Sequence, residues 1–180
     1  METRVLRTLL VLLLAQCGLV GMIEAEENDV YLVKDGKAQG HLFLPATAGR
    51  PLLLAVQELR DYMHKMTGAE LPLAYRGPDT RHRRDIGIQL LVRTRSEWEG
   101  TESSQAFTIT GTVNPTPEFP LTGVTIAGNT EMAVLYGVYQ YLQELGVRWF
   151  SPGELGENVP RAKDVAIREG HDACSPSFVM

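Results

Sequence analysis

At 180 residues, 44% apolar and 22% charged, the chain is long enough for one domain with a real core and has the composition of a soluble globular protein. Its 17 lysines and arginines against 22 aspartates and glutamates give a net charge of −5, which excludes a global attraction for nucleic acid or anionic lipid. Its 2 cysteines are Cys17 and Cys174. Cys17 falls in a segment read below as a signal, so neither an intrachain disulfide nor a cysteine metal site has its partners.

Residues 1–25 read as a secretory signal. Arg4 and Arg7 precede an apolar run from Leu9 to Leu14, and Ile23 and Ala25 stand at the positions a signal peptidase recognises. The run is too short for a stable membrane span. Cleavage after Ala25 predicts a secreted or periplasmic protein that keeps the net charge of −5, since two basic and two acidic residues leave together.

The globular part opens with a strand at Val30–Val33, the turn Lys34-Asp35-Gly36-Lys37, and a second strand at His41–Leu44 that Pro45 ends. A helix follows from Pro51, which suits the first helical position, to about Thr67. Leu52, Val56, Leu59, Met63 and Met66 line one face, with Ala55 and Tyr62 at its edge; Gln57, Glu58, Arg60, Asp61, His64 and Lys65 take the other. Gly68 ends it in a left-handed cap. Leu71–Tyr75 reads as a short strand and Gly77-Pro78-Asp79 as a turn. Arg81-His82-Arg83-Arg84 forms the basic cluster of the chain: a solvated loop, or a contact for an acidic sugar or a phosphate. Ile86–Val92 reads as a strand buried on both sides. Arg93–Ser104 is a polar loop holding Trp98, and Phe107–Ile109 begins an alternating strand that runs into Asn114-Pro115-Thr116-Pro117. Val124–Ala127 returns as a strand.

The stretch from Asn129 to Gly153 organises the rest. Asn129 or Thr130 caps a helix. On a 100° wheel Met132, Leu135, Tyr136, Tyr139 and Leu142 fall on one side and Val134, Val138, Tyr141 and Leu145 on the other, which leaves a stripe of Gly137, Gln140 and Glu144 for water. A helix this apolar is buried on more than one flank. The order β, β, α, β, β, β, β, α, β predicts an α/β (α+β sandwich) domain: one mixed sheet with two helices packed on one face. Val165–Ile167 reads as a further strand. The chain stops at Ser177-Phe178-Val179-Met180, inside what reads as a new apolar segment, and this predicts a chain cut short.

Chemistry is sparse. No GxGxxG or phosphate loop occurs, no two of His41, His64, His82 and His171 share a metal-ligand spacing, and there is no GxSxG turn. Gly128-Asn129 could hold an anion at a helix start, although capping accounts for it. Glu154 and Glu157 lie together as a glycosidase pair would, but in a short loop without rigid walls, so their expected role is turn and surface. Cys174 is expected to be buried or simply tolerated. No catalytic, cofactor or metal residue is assigned.

Three segments carry a resemblance: LAVQELRDYMHKMTGAELPL over residues 54–73, Leu135-Tyr136-Gly137-Val138-Tyr139, and Gly146-Val147-Arg148-Trp149-Phe150-Ser151-Pro152-Gly153-Glu154. With the turn Ile126-Ala127-Gly128-Asn129-Thr130, they resemble the non-catalytic N-terminal domain that precedes glycoside hydrolase barrels in α-glucuronidases and β-N-acetylhexosaminidases, and are most similar to the secreted DUF4838 group. The resemblance covers about residues 28–160. It implies an accessory domain at 26–160, a linker and barrel start at 161–180, and a C-terminal catalytic barrel of the same protein as partner, with carbohydrate bound through that barrel. The family's catalytic carboxylates would lie in the barrel, so none is carried over. Tyr136, Tyr139, Arg148, Trp149 and Phe150 are the expected docking residues. The alternative is a stand-alone carbohydrate-binding or scaffold module.

Overall fold

In a computed structural model, residues 29–76, 85–98, 103–116 and 121–175 are described. The signal segment, the turn at Gly77, the basic cluster Arg81–Arg84, Pro117 and the final Ser177–Met180 lie outside them, as do the side chains of Trp98 and Glu154.

The order is β1 (Tyr31–Lys34), β2 (Lys37–Ala38), β3 (His41–Pro45), α1 (Arg50–Thr67), β4 (Leu73–Arg76), β5 (Ile86–Val92), a one-turn α2 (Arg95–Trp98), β6 (Phe107–Thr112), β7 (Thr122–Gly128), α3 (Glu131–Glu144), β8 (Arg148–Trp149), β9 (Glu157–Asn158), β10 (Val165–Ala166) and β11 (Gly170–Cys174). Six strands form the main sheet in the order β11-β6-β7-β5-β3-β4. β4, β3, β5 and β7 run parallel, while β6 and β11 are antiparallel additions at one side. The expected mixed sheet with its helix layer is therefore the fold, supplemented by a small sheet β10-β1-β2 and a ribbon β8-β9.

Register decides which residues meet the helices, because directly paired residues share a face. Leu42 pairs with Ile88 and Ile88 with Val124, while Leu90 pairs with Ile126 and Ile126 with Ile109. These rows are buried in one core with Leu52, Leu59 and Met63 of α1 and Val134, Val138 and Leu142 of α3. Each strand presents its other residues to the opposite face. In β5 this brings out Gln89 and Leu91, and Leu91 is 40% exposed. The expectation that Ile86–Val92 is buried on both sides is corrected: helices cover one face only.

α1 begins with Pro51 in its first turn and ends at Gly68 with φ 77°, whose N–H donates to the carbonyl of His64. Its N-cap is Gly49, which has no side chain to offer the helix. Instead, the Gly49 N–H donates to Glu131 Oε1 at 2.7 Å, fastening the start of α1 to the start of α3. α3 carries its own cap: Thr130 Oγ1 accepts from the Ala133 N–H. Asn129 is buried; its Nδ2 donates to the Ser103 carbonyl and its Oδ1 accepts from Arg93. The Asn129 backbone N–H donates to the Ala106 carbonyl, so it is not offered to an anion.

Two readings of α3 and the chain end are corrected. Gly137, assigned to water by the helical wheel, is buried against the sheet: a Cβ there would lie 2.6 Å from Ile126 Cγ2 and 3.2 Å from Phe107 Cδ2. The stripe left to solvent holds Gln140 and Glu144, as expected, together with Met132, Tyr136 and Gln143. The segment from residue 161, expected as a linker with a strand at Val165–Ile167, supplies that strand and a second one to this domain. Val165 and Ala166 pair with β1, and Gly170–Cys174 pairs with β6. Cys174 is exposed there rather than buried.

Candidate functional site

The candidate site lies where the C-terminal ends of α1 and α3 meet the β8-β9 ribbon. The ribbon pairs Trp149 with Glu157, and direct cross-strand partners project to one side. Both reach α1. Trp149 stands edge-on between two tyrosines, 5.4 Å and 88° from the ring of Tyr62 and 5.5 Å and 87° from that of Tyr139. Such T-shaped contacts place a positive ring edge on a negative ring face.

Polar bonds complete the clasp. Trp149 Nε1 donates to Tyr62 Oη at 2.7 Å, Tyr62 Oη donates to Glu157 Oε2 at 2.6 Å, and Lys65 Nζ donates to Glu157 Oε1 at 2.6 Å. The Lys65 ammonium also lies 4.8 Å over the Tyr62 ring. The lysine bond, and then the tyrosine bond, hold the Glu157 carboxyl below its usual range. Burial, and then the bond to Glu157, push the Tyr62 hydroxyl up. Burial first, and Glu58 second, do the same to Tyr139.

A cleft of about 560 Å³ opens beside the clasp, lined by Tyr62, Lys65, Trp149, Phe150, Glu157 and residues 151–153. Its described carboxylate has both oxygens occupied and is biased toward ionisation. A glycosidic general acid needs the reverse, a carboxyl whose pKa is raised. The geometry makes Glu157 a tie between the ribbon and α1, more than the turn-and-surface role expected for it. Among the described residues no group of three His, Cys, Asp or Glu side chains converges as metal ligands would.

The expected docking residues divide. Trp149 and Tyr139 meet in the clasp, each partly buried. Phe150 is 78% exposed and Tyr136 is 37% exposed. Arg148 turns back on the helix: its Nη1 donates to the carbonyl of Gln143 in the last turn of α3 and to that of Val147, a cation at the negative end of the helix dipole. Leu54 of α1 and Met132 of α3 are further exposed apolar side chains of the helix layer. Sequence reasoning did not assign Tyr62 or Lys65 to this site. The one available signal was Tyr62 at the edge of the apolar face of α1, with Lys65 three residues on.

No family model and no curated protein matches the sequence. Solved structures do resemble the fold. A family GH115 4-O-methyl-α-glucuronidase with specificity for decorated arabinogalactans superposes with a TM-score of 0.53 and 13% identity, over 81% of this chain and 18% of that one. A GH20 β-N-acetylhexosaminidase from Streptomyces coelicolor A3(2) gives 0.50 and 18%, over 84% of this chain and 28% of that one. At these identities the likeness is one of fold, that of a glycoside hydrolase-like domain. The chain spans between about a fifth and just over a quarter of the length of those proteins.

Proposed function

We propose that this chain is the non-catalytic N-terminal domain of a secreted glycoside hydrolase of the DUF4838 kind, and that its helix layer docks onto a catalytic barrel of the same protein. The observation that carries the reading is the outer surface of that layer. Leu54, Met132, Tyr136 and Phe150 are exposed apolar side chains on elements that the core already holds in place. Tyr139 and Trp149, which meet in the clasp, are only partly covered. Exposed apolar side chains gathered on one surface mark an interaction site. Aromatic anchors flanked by polar groups are the usual energetic centre of such an interface.

The fold supports the same reading. The two enzymes it resembles are an α-glucuronidase and a β-N-acetylhexosaminidase, and the part that matches this chain is the smaller part of each. A barrel needs roughly 250 residues of its own. Export follows from the charged and apolar pattern of residues 1–25. Among the described residues no helix is long and apolar enough to cross a membrane.

The test is to express the whole gene product beside residues 26–180 and assay both on a panel of glucuronide and N-acetylhexosaminide oligosaccharides. Hydrolysis by the whole product alone is expected. Tyr136→Ser combined with Phe150→Ser should weaken association of separately produced halves by at least about tenfold, the scale of losing interface hot spots. A whole product that hydrolyses no glycoside, or halves that associate equally well with the double variant, overturns the reading.

A further inference from the structure

Beyond the Lys65–Glu157 ion pair lies a second concavity of about 860 Å³, lined by His64, Lys65, Gly68, Val159, Arg161 and Lys163 among others. The two clefts share Lys65 and Glu157, so the ion pair is the wall between the aromatic clasp and this basic hollow. Three cations line it against one carboxylate, Glu157, whose two oxygens are bonded to Lys65 and Tyr62. Arg161, Lys163 and His64 are exposed, and no ion pair or side-chain hydrogen bond engages them among the described residues. In a chain of net charge −5 this is a local reversal of sign.

The cations do not owe their place to a mobile tail. The strand-like segment that carries them is fastened at three points. The Ala162 N–H donates to the Met66 carbonyl at 3.0 Å, and the Lys163 carbonyl accepts from the Gly36 N–H at 2.8 Å. One residue on, Asp164 Oδ1 accepts from the Asp35 N–H at 2.6 Å. The first of these bonds also satisfies a carbonyl of the last turn of α1, and the Gly68 N–H satisfies that of His64. Two of the helix-end carbonyls that would otherwise draw the cations in, those of His64 and Met66, are therefore already met. Lys65 already pairs with the carboxylate of Glu157, so Arg161 and Lys163 are in excess around the hollow; like charges repel one another, and an anion bound between them removes that cost.

We infer that this hollow binds the carboxylate groups of an acidic, uronic-acid-containing oligosaccharide. The saccharide part of the inference rests on the proposed glycosidase role. The hollow adjoins the proposed barrel interface across a single ion pair, so a chain held by the barrel can extend onto it. Its volume is within the ordinary range of small-molecule sites. Arg161 supplies a planar fork suited to a carboxylate and Lys163 a point charge beside it. The contact is with sugar acids and involves no bond making or breaking.

Titration of the full chain with trigalacturonate, followed by calorimetry, tests the inference. Maltotriose, triglutamate and sodium sulfate serve as comparators. Binding of trigalacturonate is expected, weakening as salt rises, with no binding of maltotriose. Replacing Arg161 and Lys163 by serine together should weaken it by about tenfold or more, as expected for two charge-assisted contacts. The R161K/K163R exchange should retain most of it. Circular dichroism verifies the fold; should the serine variant not fold, K163Q with the salt series decides. The inference fails if trigalacturonate does not bind, or if the serine variant binds it equally. It also fails if triglutamate binds as well, or if sulfate displaces it at equal charge. Because this measures binding to the present domain, glycoside hydrolysis by the whole product without trigalacturonate binding would sink this inference alone.

Discussion

Glu157 shows how one residue changes meaning between sequence and structure. In sequence it is an acidic loop residue close to Glu154, with an expected role in the turn and at the surface. In the fold it accepts from Lys65 and Tyr62, residues 92 and 95 positions earlier. Those bonds lower its pKa in the folded state, and the sign of the consequence is fixed. A carboxyl whose folded pKa lies below its unfolded value, about 4.3 for glutamate, contributes stability that is fully present above that value. The contribution is lost as pH falls through the folded pKa. Glu157→Gln should therefore leave a chain whose stability falls less steeply between about pH 5 and pH 3 than that of the parent, measured by urea midpoints across the range. Parallel pH profiles for the two proteins would show that the clasp contributes nothing in solution.

At the scale of elements, α3 is the informative case. Its length, its cap at Thr130 and its apolar richness are legible in the sequence, as are α1 with its Gly68 stop. The orientation of α3 was read wrongly at one point. A helical wheel gives glycine no apolar weight, so Gly137 fell in the solvent stripe. The structure puts it against Ile126 and Phe107 because the absent side chain lets helix and sheet approach there. Gly137→Ala is the direct probe. Alanine gains about 1 kcal/mol in helix propensity over glycine. A methyl 2.6 Å from Ile126 Cγ2 must displace a core side chain that is fully buried, and overpacking of this kind costs about 1–3 kcal/mol. A net loss of up to about 2 kcal/mol is expected in the denaturant midpoint, whereas Gln140→Ala on the exposed side should change it little. A raised midpoint for Gly137→Ala would mean that the helix does not pack this closely.

At the scale of the whole molecule, the helix layer has an inner face in the core and an outer face that keeps Leu53, Leu54, Met132 and Tyr136 at 37–49% exposure, with Phe150 beside it at 78%. On the proposed reading, this surface is covered by a barrel. Residues 26–180 produced alone should then self-associate in the micromolar range, as sedimentation velocity would detect, and Tyr136→Ser with Phe150→Ser should restore the monomer. A monodisperse monomer of the parent at high concentration would count against the docking surface. The strands Val165–Ala166 and Gly170–Cys174 belong to this scale too. Gly-His-Asp-Ala-Cys has no alternation to betray a strand, and all five residues are exposed. It pairs with β6 through its backbone, with one side-chain bond between Thr110 Oγ1 and His171 Nδ1 at 2.8 Å, and backbone pairing leaves no mark in a side-chain pattern.

The sequence by itself determined the fold class, both long helices, their caps and most of the core, because these follow from local periodicity and from residues whose backbone preferences act within a few positions. Tertiary structure alone decided three things: the closing of Trp149, Tyr62, Glu157 and Lys65 into one clasp, the gathering of Arg161 and Lys163 opposite the end of α1, and the inward placement of Gly137. Each joins groups from distant parts of the chain, and distances of that kind are set by how strands and helices pack rather than by any neighbour in sequence.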